Sequence, residues 1–421
     1  MVCVNPGVLL CLRCRPKMFR GFVRTLKLIE TGDVTFKKPP PFDYMTKHFS
    51  IIKSMIDPTY ARLNENTKVI AVEGNIASGK SQLASKLAGY FGMIHYPDPT
   101  EDDIYRINCR PPFDLRVHNA LLPDSAKYYT TEMFWNEPDL MNKGKPLYLQ
   151  YQYYIQRYWN YLKALCNLFN TGHGFIVDRS PFSEIAFSEA LYKCGYMSEI
   201  AHRWFNQHHG VTVKHLWKPH LLIYVKATKE QIRERLKKRN IVRHRPWELN
   251  ACNLTDKFLD AYTVALEKAY LSRMSRYSEI LVVDGSTTDV HDDDDVRIIA
   301  QKMTEINLVG DHLLRDDYKL IEWRTGLFND RAKINARAQF SDADRSFTKY
   351  FRNVKMPIDM QEGCYSFDDH EMQIAVLRMD PRTRYPPSSN PRYTGILNIM
   401  FNPFLTKRNF ARDLPKDYLW L

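Results

Sequence analysis

The sequence predicts an α/β fold: a five-stranded parallel sheet flanked by helices on both faces, followed by a C-terminal extension. Three observations carry this. Short β-branched apolar runs alternate with helical stretches from residue 68 to 308, the pattern of strands covered on both faces. The first of these strands meets the first helix through a glycine-rich turn. Beyond Val309 the alternation stops, and apolar runs become too sparse for a second core.

The elements follow in chain order. Residues 68–72 form an apolar β-branched strand, and residues 81–91 place Leu83, Leu87, Tyr90 and Phe91 on one helical face. A second strand over 93–96 ends at Asp98-Pro99, and residues 100–147 read as loops and short helices. The spacing predicts a long helix over 147–170, dense in tyrosine and other aromatics, closed by Gly172. A third strand (175–177) runs into Asp178-Arg179-Ser180-Pro181, with a helix over 183–192. A fourth strand (221–225) leads into a basic helix (229–239); a helix over 256–276, a strand over 280–283 and a helix within 291–308 close the domain. The acids Asp292 to Asp295 at the start of that last helix favour its dipole, a plainer reading than a metal site.

The turn after the first strand is Gly74-Asn75-Ile76-Ala77-Ser78-Gly79-Lys80-Ser81, which fits G-x-x-x-x-G-K-[ST] with the strand before it and helix after it that the motif requires. Glycines let consecutive N–H groups point inward, and the helix start adds its positive dipole end, so main chain can hold a phosphate chain. Lys80 is expected on the β/γ-phosphates and Ser81 on magnesium. The bland reading is a glycine-rich turn that holds nothing.

Lysine and arginine total 60 against 48 acids, a net charge of +12 over 421 residues. This suits anionic ligands or acidic partners. Nucleic acid is not the expected partner, because the basic residues gather in the first segment and the basic helix without interleaved surface aromatics. Before the first acid, Glu30, stand Arg13, Arg15, Lys17, Arg20, Arg24 and Lys27 among apolar residues, the composition of a mitochondrial presequence. The expected divisions are a presequence over 1–35, a proline-bearing linker over 36–66, the α/β domain over 67–308 and the extension over 309–421. No run of 18 apolar residues occurs, so no membrane-spanning segment is expected. The eight cysteines lack disulfide, iron–sulfur or zinc spacing, and no flavin fingerprint is present.

The loop, Asp98-Pro99 after the second strand, a glutamine-bearing aromatic helix and Asp178-Arg179-Ser180 after the third strand together resemble the deoxynucleoside kinase family over about residues 66–308. The resemblance implies a nucleoside-kinase-type phosphate-loop fold, an adenine nucleotide or deoxynucleotide as ligand, and magnesium. It implies roles residue by residue. Asp98 stands where the family's base accepts the 5′-hydroxyl proton, Asp178 would join Ser81 on magnesium, and Arg179 would orient the acceptor. Gln152 would bond the base edge, and Arg235 and Arg239 would clamp phosphates from a basic lid.

The departures matter as much. The family usually carries glutamate where Asp98 stands, one methylene longer, and Ile241 occupies the position of a further lid arginine. Gln82 replaces the usual small hydroxyl residue after Ser81. A kinase-type core with weakened base and lid, a presequence and a long tail is similar to the kinase-like accessory subunits of respiratory complex I. That resemblance implies a non-catalytic subunit on the matrix side of the mitochondrial inner membrane, with other complex I subunits as partners. A working mitochondrial deoxynucleoside kinase is the alternative. A nucleoside-monophosphate kinase shares the loop, but the Glu73-Gly74-Asn75-Ile76 stretch speaks against it.

Overall fold

The computed structural model describes residues 26–29, 40, 62–107, 113–213, 216–243, 248, 251–308 and 367–379. The expected presequence, linker and extension lie outside the described residues except where these segments enter them. β1 (Val69–Gly74), α1 (Lys80–Phe91) and β2 (Ile94–Tyr96) come first. A short α2 (Glu101–Tyr105) precedes a small antiparallel pair, β3 (Arg106–Ile107) with β4 (Phe113–Asp114), in a stretch expected as loops and short helices. Then follow α3 (Thr131–Asn136), α4 (Pro146–Thr171), β5 (Phe175–Asp178), α5 (Glu184–Cys194), α6 (Glu199–Thr212), β6 (Leu221–Lys226) and α7 (Lys229–Arg243). The domain ends with α8 (Asp256–Ala265), β7 (Glu279–Asp284) and α9 (Asp293–Glu305), and α10 (Phe367–Met379) belongs to the extension.

The five-stranded sheet has the order β2-β5-β1-β6-β7, and every pairing in it is parallel. Alternate side chains of the central strands enter different cores. Val69, Ala71, Phe175, Val177, Leu222 and Tyr224 face the larger cluster under α4, α5, α6 and α8. Ile70, Val72, Ile176, Ile223 and Val225 face the smaller cluster against α1 and α9. Both faces of each strand are therefore apolar, which is why these strands read as continuous runs without alternation. Because the chain leaves β1 toward β2 on one side and reaches β6 on the other, a crevice opens at the carboxyl ends beside β1. Gly74, Asp178 and the turn leading to Asp98 all emerge at that edge.

α4 is the aromatic helix expected from the sequence, one residue longer at each end. Its rings serve packing: Tyr151 lies 5.5 Å from Trp204 and Tyr154 lies 5.6 Å from Phe205, both on α6. α6 is not among the helices expected from the sequence. Its buried face includes His202, His208 and His209, residues that do not register as apolar until burial holds them neutral. Burial pulls the His208 and His209 imidazoles down to about 4. The helix expected over 256–276 is not uniform: α8 passes into a π-helical stretch (Leu266–Leu271) before a last turn, Ser272–Met274. At the head of α9, Asp292 accepts the Asp294 N–H, which fits the capping reading of the acid run.

Two flanking pieces pack on the domain. Gln373 of α10 donates to the buried Ala126 carbonyl at 2.8 Å, so this part of the extension lies on its own domain. Leu26 is 2% exposed in the smaller core, and Asn66 brackets Lys27 through both its backbone N–H (2.8 Å) and its carbonyl (2.7 Å). Leu26→Ala is therefore expected to lower stability by about 2–3 kcal/mol, read from urea unfolding. A loss under about 0.5 kcal/mol, the size of an ordinary surface change, would show that the segment is not seated there.

Candidate functional site

The loop from β1 to α1 has the geometry its sequence requires. Gly74 has φ 153°, and a Cβ there would sit 2.6 Å from the Val225 carbonyl oxygen. Gly79, at φ 92°, is the N-cap of α1 and supplies no side-chain bond, so the first helical N–H groups have no side-chain cap. Ala77 is left-handed at φ 55° despite its Cβ, a local strain of the kind found at binding loops. The Asn75 side chain braces the loop from within. Its amide donates to the Leu259 carbonyl (3.0 Å) and the Thr263 hydroxyl (2.7 Å), tying the loop to α8.

Lys80 is folded back: Nζ donates to the Asn75 carbonyl at 2.6 Å and to the Ser78 hydroxyl at 3.4 Å. Burial, with Arg179 pushing the same way, brings its pKa down to about 7. Glu73, the last residue before Gly74, is fully buried beside the loop. Its Oε1 accepts the Ser180 N–H (2.9 Å), the Ser180 hydroxyl (2.7 Å) and the Tyr270 hydroxyl (3.1 Å). Burial raises the Glu73 carboxyl, with these bonds pulling it back. The π-helical stretch after α8 is what carries Tyr270.

The acceptor side centres on a clamp that the sequence did not reveal. Arg157 of α4 donates to both oxygens of Asp98, at 2.6 and 3.0 Å, and also binds Glu184 at the start of α5. Arg179 has a left-handed backbone (φ 56°), brings a guanidinium nitrogen to 3.9 Å from Asp98, and lies 5.7 Å from the Tyr262 ring. Burial alone would raise the Asp98 carboxyl, but the Arg157 and Arg179 guanidiniums override it and hold it below the usual carboxylate range. Gln152 is not among the residues lining the cleft; Gln150 is. The two lie on different faces of α4 because a helix turns through roughly 200° in two residues. Gln150, Tyr153 and Arg157, at helical spacing, line the cleft together, a polar stripe that could have been found among the aromatics.

On the opposite side, Arg235 donates to the Ser78 carbonyl at 2.8 Å and Arg239 pairs with Glu248 at 2.8 Å. Both expected lid arginines thus reach the cleft. Gln82 contacts the His291 ring at 2.8 Å, which accounts for an amide after Ser81.

The loop, the acceptor-side clamp and the lid arginines line a single cleft of about 1280 Å³. It brings together Ile76 to Ser81, Asp98, Asp178, Arg179, Arg235 and Arg239. The expected magnesium ligands fit that ion. Asp178 Oδ1 contacts His95 Nε2 at 3.1 Å, whereas Oδ2 is buried without a partner, and Ser81 is exposed at the head of α1. One carboxylate and one hydroxyl suit a cation that keeps its waters and takes the rest of its ligands from phosphates. Among the described residues there is no group of three or more metal-type side chains.

A family profile described as deoxynucleoside kinase matches residues 70–308. The chain belongs to the deoxynucleoside kinase family. It is 30% identical over 229 residues to NADH dehydrogenase [ubiquinone] 1 alpha subcomplex subunit 10, mitochondrial, of Mus musculus, a match covering 54% of this chain and 60% of that relative. The protein of the same name from Rattus norvegicus is 29% identical over 236 residues, covering 56% and 62%. A deoxyguanosine kinase of Dictyostelium discoideum is 24% identical over 181 residues, covering 43% and 53%. The chain thus spans about 60% of the length of the first two relatives. Deoxyadenosine kinase from M. mycoides with bound dATP matches at TM-score 0.40 and 17% identity, over 56% of this chain and 98% of that one.

Proposed function

We propose that this chain is an accessory subunit of mitochondrial respiratory complex I that keeps a nucleotide pocket as a structural element and does not transfer phosphate. The relatives named for a complex I subunit support the assignment to that assembly. A place on the matrix side of the inner membrane, reached through other subunits, follows from it; no described helix is long and apolar enough to cross a membrane.

The observation that carries the loss of chemistry is the state of Asp98. A general base works best with a pKa near the working pH and within reach of its proton. Asp98 is bound through both oxygens by Arg157 and held below the ordinary carboxylate range. It is also one methylene shorter than glutamate, and about 1 Å of lost reach costs on the order of a hundredfold in rate. The retained chemistry is binding: loop amides and Lys80 for phosphates, Ser81 and Asp178 for a magnesium ion that would neutralise phosphate charge, and Arg235 and Arg239 on the far side. The buried seat of Leu26 supports a presequence that ends before residue 26 and not at the expected residue 35.

The second reading, a working deoxynucleoside kinase, is favoured by the gathering of Lys80, Asp98, Asp178 and Arg179 in one cleft. Gently solubilised mitochondria run on a native gel test the first reading: the chain is expected to migrate with complex I, and migration only as a free small oligomer would remove that assignment. Incubation with labelled ATP and the four deoxynucleosides tests the second. No monophosphate is expected, and turnover at about 1 s⁻¹ or above would establish the kinase.

A further inference from the structure

We infer that Glu248 is a built-in competitor for nucleotide phosphate. It occupies the lid arginine Arg239, so that binding of a triphosphate requires this pair to open. The inference rests on the nucleotide-pocket reading and extends it to a residue that limits affinity.

The geometry is specific. Arg239 Nε and a terminal nitrogen both lie 2.8 Å from Glu248 Oε2, a charge-assisted contact of the strong kind. The Glu248 side chain is 4% exposed and the Arg239 side chain 27%, so solvent screens the pair only in part. Both residues line the cleft that holds the phosphate loop. Arg235, one helical turn earlier on α7, bonds the Ser78 carbonyl within that loop, which places this face of the helix over the phosphate region. Arg239 therefore projects from a face already at the loop, and its guanidinium is turned onto a carboxylate of its own chain.

A nucleotide phosphate and Glu248 offer the same chemistry to one guanidinium: anionic oxygens in hydrogen-bond range. When the competent state is only a minor population, apparent affinity falls by that fraction. An occupancy of about nine-tenths corresponds to an apparent affinity about tenfold weaker than with the arginine released. Glu248 is a positioning residue, since it acts through Arg239.

The test uses the full chain and magnesium ATP as the probe, with Kd read by titration calorimetry and folding checked by melting. Glu248→Gln keeps the shape and lowers the competition. It is expected to tighten binding about tenfold, while the double variant Arg239→Ala with Glu248→Gln shows no gain over Arg239→Ala alone. That cycle separates release of Arg239 from the general benefit of deleting a negative charge. Glu248→Asp, which retracts the carboxylate and keeps its charge, is expected to move Kd in the same direction by a smaller factor, and serves if the glutamine variant melts early. Unchanged or weaker binding by both folded Glu248 variants, or a gain that persists without Arg239, overturns the inference and leaves the pocket reading intact. If neither the native chain nor any variant binds magnesium ATP, the pocket reading falls and the inference with it.

Discussion

Replacing Arg157 by methionine is expected to cost about 3–5 kcal/mol of stability, the range for breaking a buried ion pair by removing one partner. Arg157 is 7% exposed and joins Asp98 to Glu184, so its loss strands two carboxylates at once. The pH dependence gives a second reading. In the native chain Asp98 is held below its unfolded value, so it stabilises above that value of about 3.9 and the contribution is lost as pH falls through the lower folded pKa. Burial raises Glu184 even now, with Arg157 pulling it down. Without Arg157, the Glu184 carboxyl rises further above its unfolded value, and Asp98, left with Arg179 and Lys80 against burial, loses part of its depression. The variant is expected to regain stability as pH falls from 7 toward 5. Urea unfolding at both values checks this; a loss below about 1 kcal/mol, or an equal loss at both pH values, would mean the clamp is not what holds α4 to the cleft.

Affinity for magnesium ATP is expected to fall roughly 20- to 30-fold between pH 6.5 and 8.5. Burial and Arg179 bring Lys80 to a pKa of about 7 in the empty cleft. Only the ammonium form attracts phosphate, and a bound phosphate raises that pKa. Binding is therefore strongest below 7 and weakens as pH rises, with a proton taken up on binding. Lys80→Arg keeps a charge that does not titrate in this window, so its affinity is expected to stay flat, and Lys80→Ala is expected to lose both affinity and slope. A native chain whose affinity does not change with pH would show that Lys80 stays charged or does not meet the phosphates.

The phosphate loop was legible because its chemistry is local: eight consecutive residues set the turn, the helix start and the lysine. Asp178 and Arg179 were legible for a related reason, as charges at the end of a buried strand that need a partner. Aromatics crowd every face of α4, so only the sparse polar spacing of Gln150, Tyr153 and Arg157 marks its cleft side in the sequence, and Gln152 lies off that stripe. Glu248 lies past a proline and outside any regular pattern, so its pairing with Arg239 had no local signal. Glu73 reads as the last residue of a strand until Ser180 and Tyr270, 107 and 197 positions away, are seen to bond it.

Strand and helix order, the parallel sheet and the phosphate loop follow from the sequence, since burial period and turn chemistry act over a few residues at a time. Tertiary structure decided which charges meet. It set Arg157 on Asp98, His95 on Asp178 and Arg239 on Glu248, pairs between 9 and 83 residues apart in the chain. Electrostatic attraction depends on distance and local dielectric, and neither exists for such a pair until the chain has folded around it.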